Sequence, residues 1–444
     1  MTFSPAMPPL APDNASGLHI CSMLRRNAYS AFPPCCLNEP VVKRTVLGRA
    51  LVLVNTPDAI RKVLSTNTEL YQRIAAVRRV LGPIIGRGLP VSEGENWRRQ
   101  RHTLAPAFTP RNLPVLTVHI MKCAEAACAS LEASRDRPID LLSFLQELSL
   151  DIAATSMFSL EAAKFGEEMR RVVSQYVATL GRPTVSDFLL PRGLPTLLGL
   201  RRKLFRRRWM RLLRSIIRDR LEQERSNAPR DLFDLLAEAH GSDAEDLLAD
   251  EVATMMLGGY ENTSLTIFWA CLLLTQVPEW QAAVTEEATA VNLAPDHAAE
   301  SLPTLRRTRA VIDEAMRLYS PAFMMAREAA QSHQLCGVDV PKGAVVLMPL
   351  FLLHRNPKYW TSPDIFDPSR FLGDSRPDRF TYLPFGAGPH VCIGAQLATS
   401  EATLVLARLL RNSRLTVSDK QPVLPVATLS ARPDRSPTFM LNSI

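Results

Sequence analysis

The side chains best suited to chemistry lie in one short segment around a cysteine. The segment runs from Phe385 to Gly394 (FGAGPHVCIG), and its Cys392 comes just before an apolar, alanine-rich stretch over 395–410. Two glycines allow a tight loop to approach a flat ligand, where a Cβ would collide. At the start of a helix a thiolate can accept backbone N–H bonds, and the helix dipole favours its ionised form. The segment therefore predicts a metal-binding thiolate.

This cysteine also has two simpler interpretations. A lone cysteine is often a small buried hydrophobe. A zinc site on His390 and Cys392 would need further Cys or His residues at finger-like spacing, and none lies nearby in the sequence. The eight cysteines are scattered, with no Cys-x-x-Cys pair, which indicates mostly free thiols in a reducing compartment.

A second polar group interrupts a long, largely apolar stretch over 252–277, within a helical pattern that runs over 243–277. Here Gly258 to Thr263 (GGYENT) places adjacent glycines beside an acid, an amide and a hydroxyl. Such residues loosen helical hydrogen bonding and can open a groove. The stretch has the length of a membrane span, but Glu261 and Asn262 in its middle would make insertion costly. It predicts one long buried helix, ended by Pro278.

The elements that must position these groups are mostly helices. Helical patterning dominates over 113–236, while 49–55 and 334–349 are typical of strands. Residues 1–40 are rich in proline and are expected to be irregular, and 41–444 are expected to form one large domain. No internal repeat and no Gly/Ser linker divides the chain. The pattern predicts a mainly α protein with small β-sheets.

The charge balance narrows the choice of partners. The 444 residues carry 52 Lys and Arg against 44 Asp and Glu, a net charge of +8. Much of the positive charge lies in the single stretch 201–220 rather than in a series of short basic motifs with interleaved aromatics, and no zinc-finger spacing occurs, so nucleic acid is not an expected partner. The N-terminus has no basic residue before Arg25 and is broken by prolines. We therefore expect neither a signal peptide nor a transmembrane anchor, and a cytoplasmic location.

The cysteine segment resembles the haem-ligand loop of the cytochrome P450 superfamily, whose pattern is Phe-Gly-x-Gly-x-His/Arg-x-Cys-x-Gly. Other motifs of that family occur here in the same order, at Trp97 to Arg101 (WRRQR), Glu314 to Arg317 (EAMR) and His354 to Pro357 (HRNP). The resemblance covers almost the whole chain beyond about residue 40. It implies the cytochrome P450 fold in a single large domain, with haem b held by the thiolate of Cys392.

The resemblance also implies roles for individual residues around the cofactor. Glu314 and Arg317, joined by Arg370 from a later loop, would form a buried triad that supports the cysteine loop. A charged guanidinium suits a carboxylate, so arginines at matching positions would bind the haem propionates. The expected cofactor-binding residues are Trp97, Arg101, Arg327, Phe385, His390, Cys392 and Gly394, with Cys392 as the metal ligand.

By the same resemblance, an acid and a threonine in the long helix would help deliver protons during oxygen activation. Glu261 matches the acid, but Asn262 stands where threonine is expected, and Thr263 follows one residue later. One residue turns a side chain about 100° around a helix, so Thr263 is not a simple substitute. An asparagine can still orient water through its amide. The candidate catalytic residues are therefore Glu261, Asn262 and Thr263. The sequence does not decide which of them delivers protons.

The resemblance implies a monooxygenase that inserts one oxygen atom from O2 into a hydrophobic small molecule. Electrons would come from NAD(P)H through a separate reductase or ferredoxin, because no flavin-type glycine fingerprint or cysteine cluster accompanies the haem region. Arg98, Arg99, Arg376 and Arg379 would face an acidic redox partner, and a monomer is expected. One alternative is a peroxygenase or isomerase that needs no O2 activation, which is suggested by Asn262 at the position where threonine is expected. The other is a non-enzymatic haem-binding protein.

The basic stretch 201–220 follows an apolar turn over 188–200. Together they resemble the loop and helix that cover the substrate entrance in this family. The simpler interpretation is a solvated helix face. The alternative is peripheral contact with anionic lipid, through which an apolar substrate would enter.

Overall fold

Helices make up most of the architecture. The computed structural model describes residues 2–46, 48–134, 137–159, 166–181, 184, 186–187, 196, 198–222, 229–240, 245–373, 377–419 and 421–443. The α-helices are α1 (Gly17–Arg26), α2 (Pro57–Arg61), α3 (Ala75–Ile85), α4 (Gly94–Leu104), α5 (Leu113–Ala133), α6 (Leu141–Phe158), α7 (Gly166–Gln175), α8 (Gly199–Leu221), α9 (Leu232–His240), α10 (Glu245–Gln276), α11 (Pro278–Ala290), α12 (Ala298–Ser301), α13 (Arg306–Leu318), α14 (Leu350–Leu353) and α15 (Ala395–Leu410).

The strands form small sheets. They are β1 (Val41–Val46), β2 (Arg49–Val54), β3 (Tyr71–Gln72), β4 (Met324–Ala329), β5 (His333–Leu335), β6 (Val338–Val340), β7 (Val345–Pro349), β8 (Ser413–Val417), β9 (Pro425–Ala427), β10 (Ala431–Pro433) and β11 (Phe439–Ser443). The largest sheet has the order β1-β2-β7-β4-β3, in which only β2 and β7 run parallel. The other described strands pair as β5–β6, β8–β11 and β9–β10. The predicted class, mainly α with small sheets, is confirmed.

The long helix α10 passes through the interior, as the sequence predicts. Its second half is almost entirely buried, and it packs against α6 and α15. A helix that is apolar on all sides is stable only when other elements surround it. Within the part of the chain that the structure describes, no helix is both long and apolar enough to cross a membrane.

The N-terminal segment is partly helical, which corrects the expectation of an irregular stretch over 1–40. Helix α1 begins after Ser16, whose hydroxyl oxygen accepts from the backbone N–H of His19 at 3.2 Å. The rings of Tyr29 and Phe32 are buried, and both contact Phe351 edge-on. The prolines flank this helix rather than interrupt it, so its hydrogen bonds are intact. The domain boundary at residue 40 stays a prediction.

A buried ion-pair cluster supports the segment ahead of the cysteine loop. Arg317 donates to the two carboxylate oxygens of Glu314 at 2.7 and 2.8 Å, and Nε of Arg370 lies 3.5 Å from the same carboxylate. Arg317 also donates to three backbone carbonyls within 354–365. The triad expected from the sequence is therefore present. It joins α13 to the long loop that leads to Cys392.

Candidate active site

The loop before Cys392 depends on two glycines in the left-handed region. Gly386 has a φ of 74° and Gly388 a φ of 71°. A Cβ on Gly388 would lie 1.8 Å from the carbonyl oxygen of Leu64, so the backbones meet too closely for any side chain. The N–H of Cys392 donates to the carbonyl of Phe385 at 3.0 Å and closes the loop. This geometry leaves the sulfur at the end of the loop, just ahead of α15.

The Cys392 side chain is accessible, and several groups act on its thiol. Partial burial raises the pKa of the thiol, whereas a hydrogen bond from the backbone of Gly394 and the charge of Arg101 lower it. Among the described residues, no group of three His, Cys, Asp or Glu side chains could hold a metal ion. The donor set therefore fits a metal ion that is already bound within a cofactor, to which the protein would add one sulfur ligand.

A cavity of about 310 Å³ adjoins Cys392. Its walls come mainly from α4, α6, α10 and α15, together with the chain between α3 and α4. Cavities of this kind, apolar with a few placed polar groups, bind small organic molecules. The apolar lining includes Leu89, Phe108, Ile152, Met255 and Leu397.

Positive charge gathers at one edge of this cavity. The rings of Trp97 and His390 are in contact, with centroids 3.9 Å apart. Arg101 donates to a backbone carbonyl of the cysteine loop at 2.9 Å. Burial and the charges of Arg73, Arg327 and Arg101 lower the pKa of His390 to about 3, so its imidazole is neutral at physiological pH.

Arg73 also belongs to this edge, although it is not part of any sequence motif. Its guanidinium donates to Nδ1 of His390 at 3.0 Å and to the carbonyl oxygen of Ser92 at 3.2 Å. Burial and the charge of Arg327 lower the pKa of Arg73 to about 10, while Glu93 acts in the opposite direction. Residue 73 lies in the short connection between β3 and α3, where no motif marks it. Only the fold brings it next to the cysteine loop, which lies more than three hundred residues further along the chain.

These groups fit a flat, apolar ligand that carries carboxylates and an iron. Three guanidiniums around one neutral imidazole form an anion-binding edge, which suits the propionates of haem. Arg327 is half-buried on β4, where burial lowers its pKa and the charge of Glu93 acts in the opposite direction. Beyond that edge lie the apolar walls and the sulfur of Cys392. The fold and the site are therefore compatible with a bound haem.

The candidate catalytic residues of α10 lie in different surroundings. Asn262 is exposed and Thr263 is buried, and both line the cavity. Glu261 is not among the lining residues. Its carboxylate accepts from Nε of Arg432 at 2.6 Å and from the hydroxyl of Ser430, both near β10. The structure thus brings Asn262 and Thr263 to the cavity and holds Glu261 in an ion pair.

Comparison with known proteins shows the family to which the chain belongs. The family model of cytochrome P450 matches residues 27–438, and the chain belongs to that family. The cyclooctat-9-en-7-ol 5-monooxygenase of Streptomyces melanosporofaciens is 32% identical, with 81% of this chain and 79% of the relative aligned. A cytokinin hydroxylase of Arabidopsis thaliana is 30% identical over 79% of this chain and 70% of its own.

A solved structure supports the fold. The haem domain of cytochrome P450DA superposes with a TM-score of 0.80, covering 98% of this chain and 97% of that one, at 21% sequence identity. That identity shows the fold alone. The family and its monooxygenase members show that this protein is a cytochrome P450 monooxygenase. The alternative of a non-enzymatic haem-binding protein is therefore set aside.

Proposed function

We propose that this monooxygenase inserts one oxygen atom from O2 into a hydrophobic small molecule bound in the cavity beside Cys392. The observation that carries the proposal is the apolar lining around an accessible thiol. Haem b, when bound, supplies the iron at which dioxygen is activated, and a thiolate ligand favours O–O cleavage. Two relatives are named a monooxygenase of cyclooctat-9-en-7-ol and a hydroxylase of cytokinin, which supports hydroxylation of a small organic molecule.

In this proposal, separate groups of residues hold the cofactor. The thiolate of Cys392 ligates the iron, while Phe385 and Gly394 shape its loop through their backbone groups. The propionates are bound at the positive edge, where the indole N–H of Trp97 and the guanidiniums can donate to carboxylates. The residues of this edge are Trp97, Arg101, Arg327 and His390, to which the structure adds Arg73.

Spectroscopy of the purified protein tests the ligand assignment. The reduced carbon monoxide complex should show the red-shifted Soret band of a thiolate-ligated haem. Cys392→His should move this band to the position found for histidine ligation, since only the axial ligand changes. Cys336→Ser is the matched control, because that thiol is also exposed but lies away from the cavity. A histidine-type band in the unmodified protein would contradict the proposal.

The substrate class is found by titrating compounds and following the Soret band. Fatty acids, terpenoids, steroids and polyketides are all hydrophobic enough for this cavity. A ligand that displaces water from the iron shifts the band, and the compound should then be hydroxylated when O2 and a reductase system are added. Turnover with hydrogen peroxide alone, together with no turnover when O2 and a reductase system are supplied, would instead support the alternative suggested by Asn262, a peroxygenase or isomerase.

We propose that electrons reach the site from NAD(P)H through a separate ferredoxin or flavoprotein that carries acidic residues. Arg99 and Arg379 are exposed, as is Arg98, which pairs with Glu95 at 3.0 Å. Arg376 lies outside the described residues. Arg99→Glu should slow electron transfer at low salt, because charge complementarity sets the association rate. The exposed Arg211 of α8 provides a charge-matched control, and equal effects of both reversals would contradict this docking face.

We also propose a cytoplasmic monomer whose helix α8 contacts anionic lipid. The free state of the described cysteines supports a reducing compartment. At the start of α8, Leu200 and Leu204 are 69% and 55% exposed among basic residues. Residues 188–195 and 197 of the preceding apolar turn lie outside the described part. Sedimentation of the purified protein would test the monomer.

A further inference from the structure

A second, smaller cavity lies beside the one that adjoins Cys392. Its volume is about 160 Å³, and its walls come from the start of α3, the residues just before it and the segment that leads into α4. The segment 89–93 contributes to both cavities, because its first two residues line the larger one while Val91 and Glu93 line the smaller one. Pockets for drug-sized ligands measure about 300–1,000 Å³. The smaller cavity has room for a small polyatomic ion instead.

Positive charge predominates in this smaller cavity. Three guanidinium groups contribute to its wall, those of Arg73, Arg78 and Arg79, and Glu93 is the one acid among the described residues that line it. We refer to the cavity as the arginine pocket. Planar guanidiniums bind oxyanions such as phosphate and carboxylate through pairs of charge-assisted hydrogen bonds. The lining therefore favours an anionic ligand.

Backbone carbonyl groups orient two of these guanidiniums. Arg78 donates to the carbonyl oxygen of Val91 at 3.3 Å, and Arg79 donates to that of Asp187 at 2.8 Å. A guanidinium carries five N–H donors, and a neutral carbonyl that accepts from one of them does not cancel the charge. These contacts therefore position the two charged groups in the wall of the pocket.

Arg73 connects the arginine pocket to the larger cavity, because it lines both. Its guanidinium donates to Nδ1 of His390 at 3.0 Å, at the edge where we place the haem propionates. Burial lowers the pKa of Arg73 to about 10, and the like charges of Arg327 and Arg78 act in the same direction. Glu93 raises this pKa. An anion next to Arg73 would relieve the repulsion between these positive groups.

The propionates of haem would balance only part of this charge. Two carboxylates would face the three guanidiniums of the haem edge, of which Arg73 is one. Arg78 and Arg79 add two further positive charges, against the single acid Glu93 among the described lining residues. An excess of positive charge therefore remains around the arginine pocket when haem is bound.

We infer that the arginine pocket is an effector site for a small oxyanion such as phosphate, and that the bound anion acts on the haem edge through Arg73. The inference requires the bound haem but not the oxygen insertion proposed above. A negative charge at this position stabilises the more positive, ferric state of the iron, so anion binding should lower the reduction potential. Because coupling between two equilibria is reciprocal, the ferric protein should bind the anion more tightly than the reduced protein does.

Calorimetry of the haem-loaded protein tests the site, with inorganic phosphate as the probe. At constant ionic strength phosphate should give a saturable heat, whereas chloride should give none, because a monatomic ion lacks the paired oxygens that match a guanidinium. Arg78→Gln should weaken phosphate binding about 10-fold, the effect of losing one charge-assisted hydrogen bond. Arg111→Gln is the matched control, because Arg111 is exposed and does not line the pocket.

Glu93→Gln provides a variant of opposite sign. Removal of the acid should tighten phosphate binding about fivefold, because a like charge no longer opposes the anion. A gain in affinity cannot result from misfolding. Arg78→Lys keeps the charge of residue 78 but not its paired donors, so it should retain only part of the affinity.

The link to the haem edge is measured by the reduction potential. At a phosphate concentration equal to the dissociation constant of the unmodified protein, the potential should fall, and Arg78→Gln should lose most of this response. Equal heats with phosphate and chloride, or equal affinity in Arg78→Gln and the unmodified protein, would overturn the site. An unchanged potential with phosphate bound would overturn the action through Arg73.

A long-chain carboxylate separates a free anion from the anionic end of a larger ligand. Dodecanoate that shifts the Soret band, together with no heat from phosphate, would assign the pocket to the carboxylate of a bound substrate and overturn the effector site. A reduced carbon monoxide complex without the thiolate-type band would count against the haem assignment, whereas the phosphate heats would still report on the pocket.

Discussion

At the level of single residues, Gly388 offers a sharp test of the cysteine loop. Its φ of 71° is unfavourable for any residue with a Cβ, and a Cβ would lie 1.8 Å from the Leu64 carbonyl oxygen. Alanine is therefore disfavoured both by backbone conformation and by steric collision. We expect Gly388→Ala to lower the free energy of unfolding by more than about 2 kcal/mol, beyond left-handed strain alone. Less haem should copurify. Urea unfolding and the ratio of Soret to protein absorbance measure both effects.

Gly343 provides the control for this substitution. Its φ is 81°, but nothing lies within 4 Å of a Cβ built there. Gly343→Ala therefore adds backbone strain without a collision and should cost about 1–2 kcal/mol, with normal haem content. Equal losses from the two substitutions would show that the close approach to Leu64 does not matter.

A buried histidine predicts how stability depends on pH. Nε2 of His354 accepts from the N–H of Leu383 at 2.9 Å, and burial, with the charge of Arg317, lowers the pKa of His354 from 6.5 to about 3. Between these values the unfolded chain binds a proton that the folded chain does not. Stability should therefore fall as the pH drops from about 6 toward 3, by on the order of 1 kcal/mol per pH unit.

Urea unfolding at several pH values, with and without His354→Gln, isolates this contribution. Glutamine keeps an acceptor but does not titrate, so the dependence on pH should become shallower below about 6. His102 is exposed, and His102→Gln should leave the slope as it is. A His354 variant with the original slope would mean that other groups dominate acid unfolding.

At the level of elements, the Glu314–Arg317–Arg370 triad joins α13 to the loop that precedes Cys392. Removing one partner leaves a buried charge without compensation, which costs about 3–5 kcal/mol. We expect Arg317→Ala to lose that much stability, or to be recovered without haem. Denaturation curves and Soret absorbance provide the measurement. Arg307 lies on the same helix as Arg317 and forms an exposed pair with Glu286 of α11 at 2.7 Å. Arg307→Ala should cost less than about 1 kcal/mol.

The elements also show which features of the fold could be read from the sequence. Helix α15 has the predicted bounds, 395–410, because the cysteine loop marks its start. Strands β1 and β4 were not predicted, although both belong to the largest sheet. Short strands carry little local signal, and their partners lie far away in the chain, as with β2 and β7. Pairing of that kind is decided by tertiary contacts.

At the level of the whole molecule, the site gathers residues that no local pattern connects. Cys392, Trp97 and Arg101 could be named because each lies in a recognisable motif. Arg73 could not, since it lies in the short connection between β3 and α3. Its significance comes from the cavity that it lines together with those residues. The roles assigned to these motif residues remain predictions, of which Cys392→His tests the one given to the cysteine.

The distribution of charge over the whole molecule leads to a prediction about membranes. Helix α8 contains ten basic residues and one acidic residue, with Leu200 and Leu204 exposed at its start. We expect the protein to float with vesicles containing phosphatidylserine, because basic residues are attracted to anionic lipid and leucines insert between headgroups. It should not float with phosphatidylcholine alone. High salt should release it, since the screening length falls from about 10 Å at 0.1 M to 3 Å at 1 M.

Paired leucine variants separate this contact from general attraction between charges. Leu200→Ser combined with Leu204→Ser should weaken flotation while leaving the net charge of +8 unchanged. Leu221, 46% exposed at the far end of the same helix, is the control, and Leu221→Ser should float as the unmodified protein does. Equal loss in both would place the contact along the whole helix. Equal flotation with neutral and anionic vesicles would contradict an electrostatic contribution, and no flotation would leave α8 a solvated face.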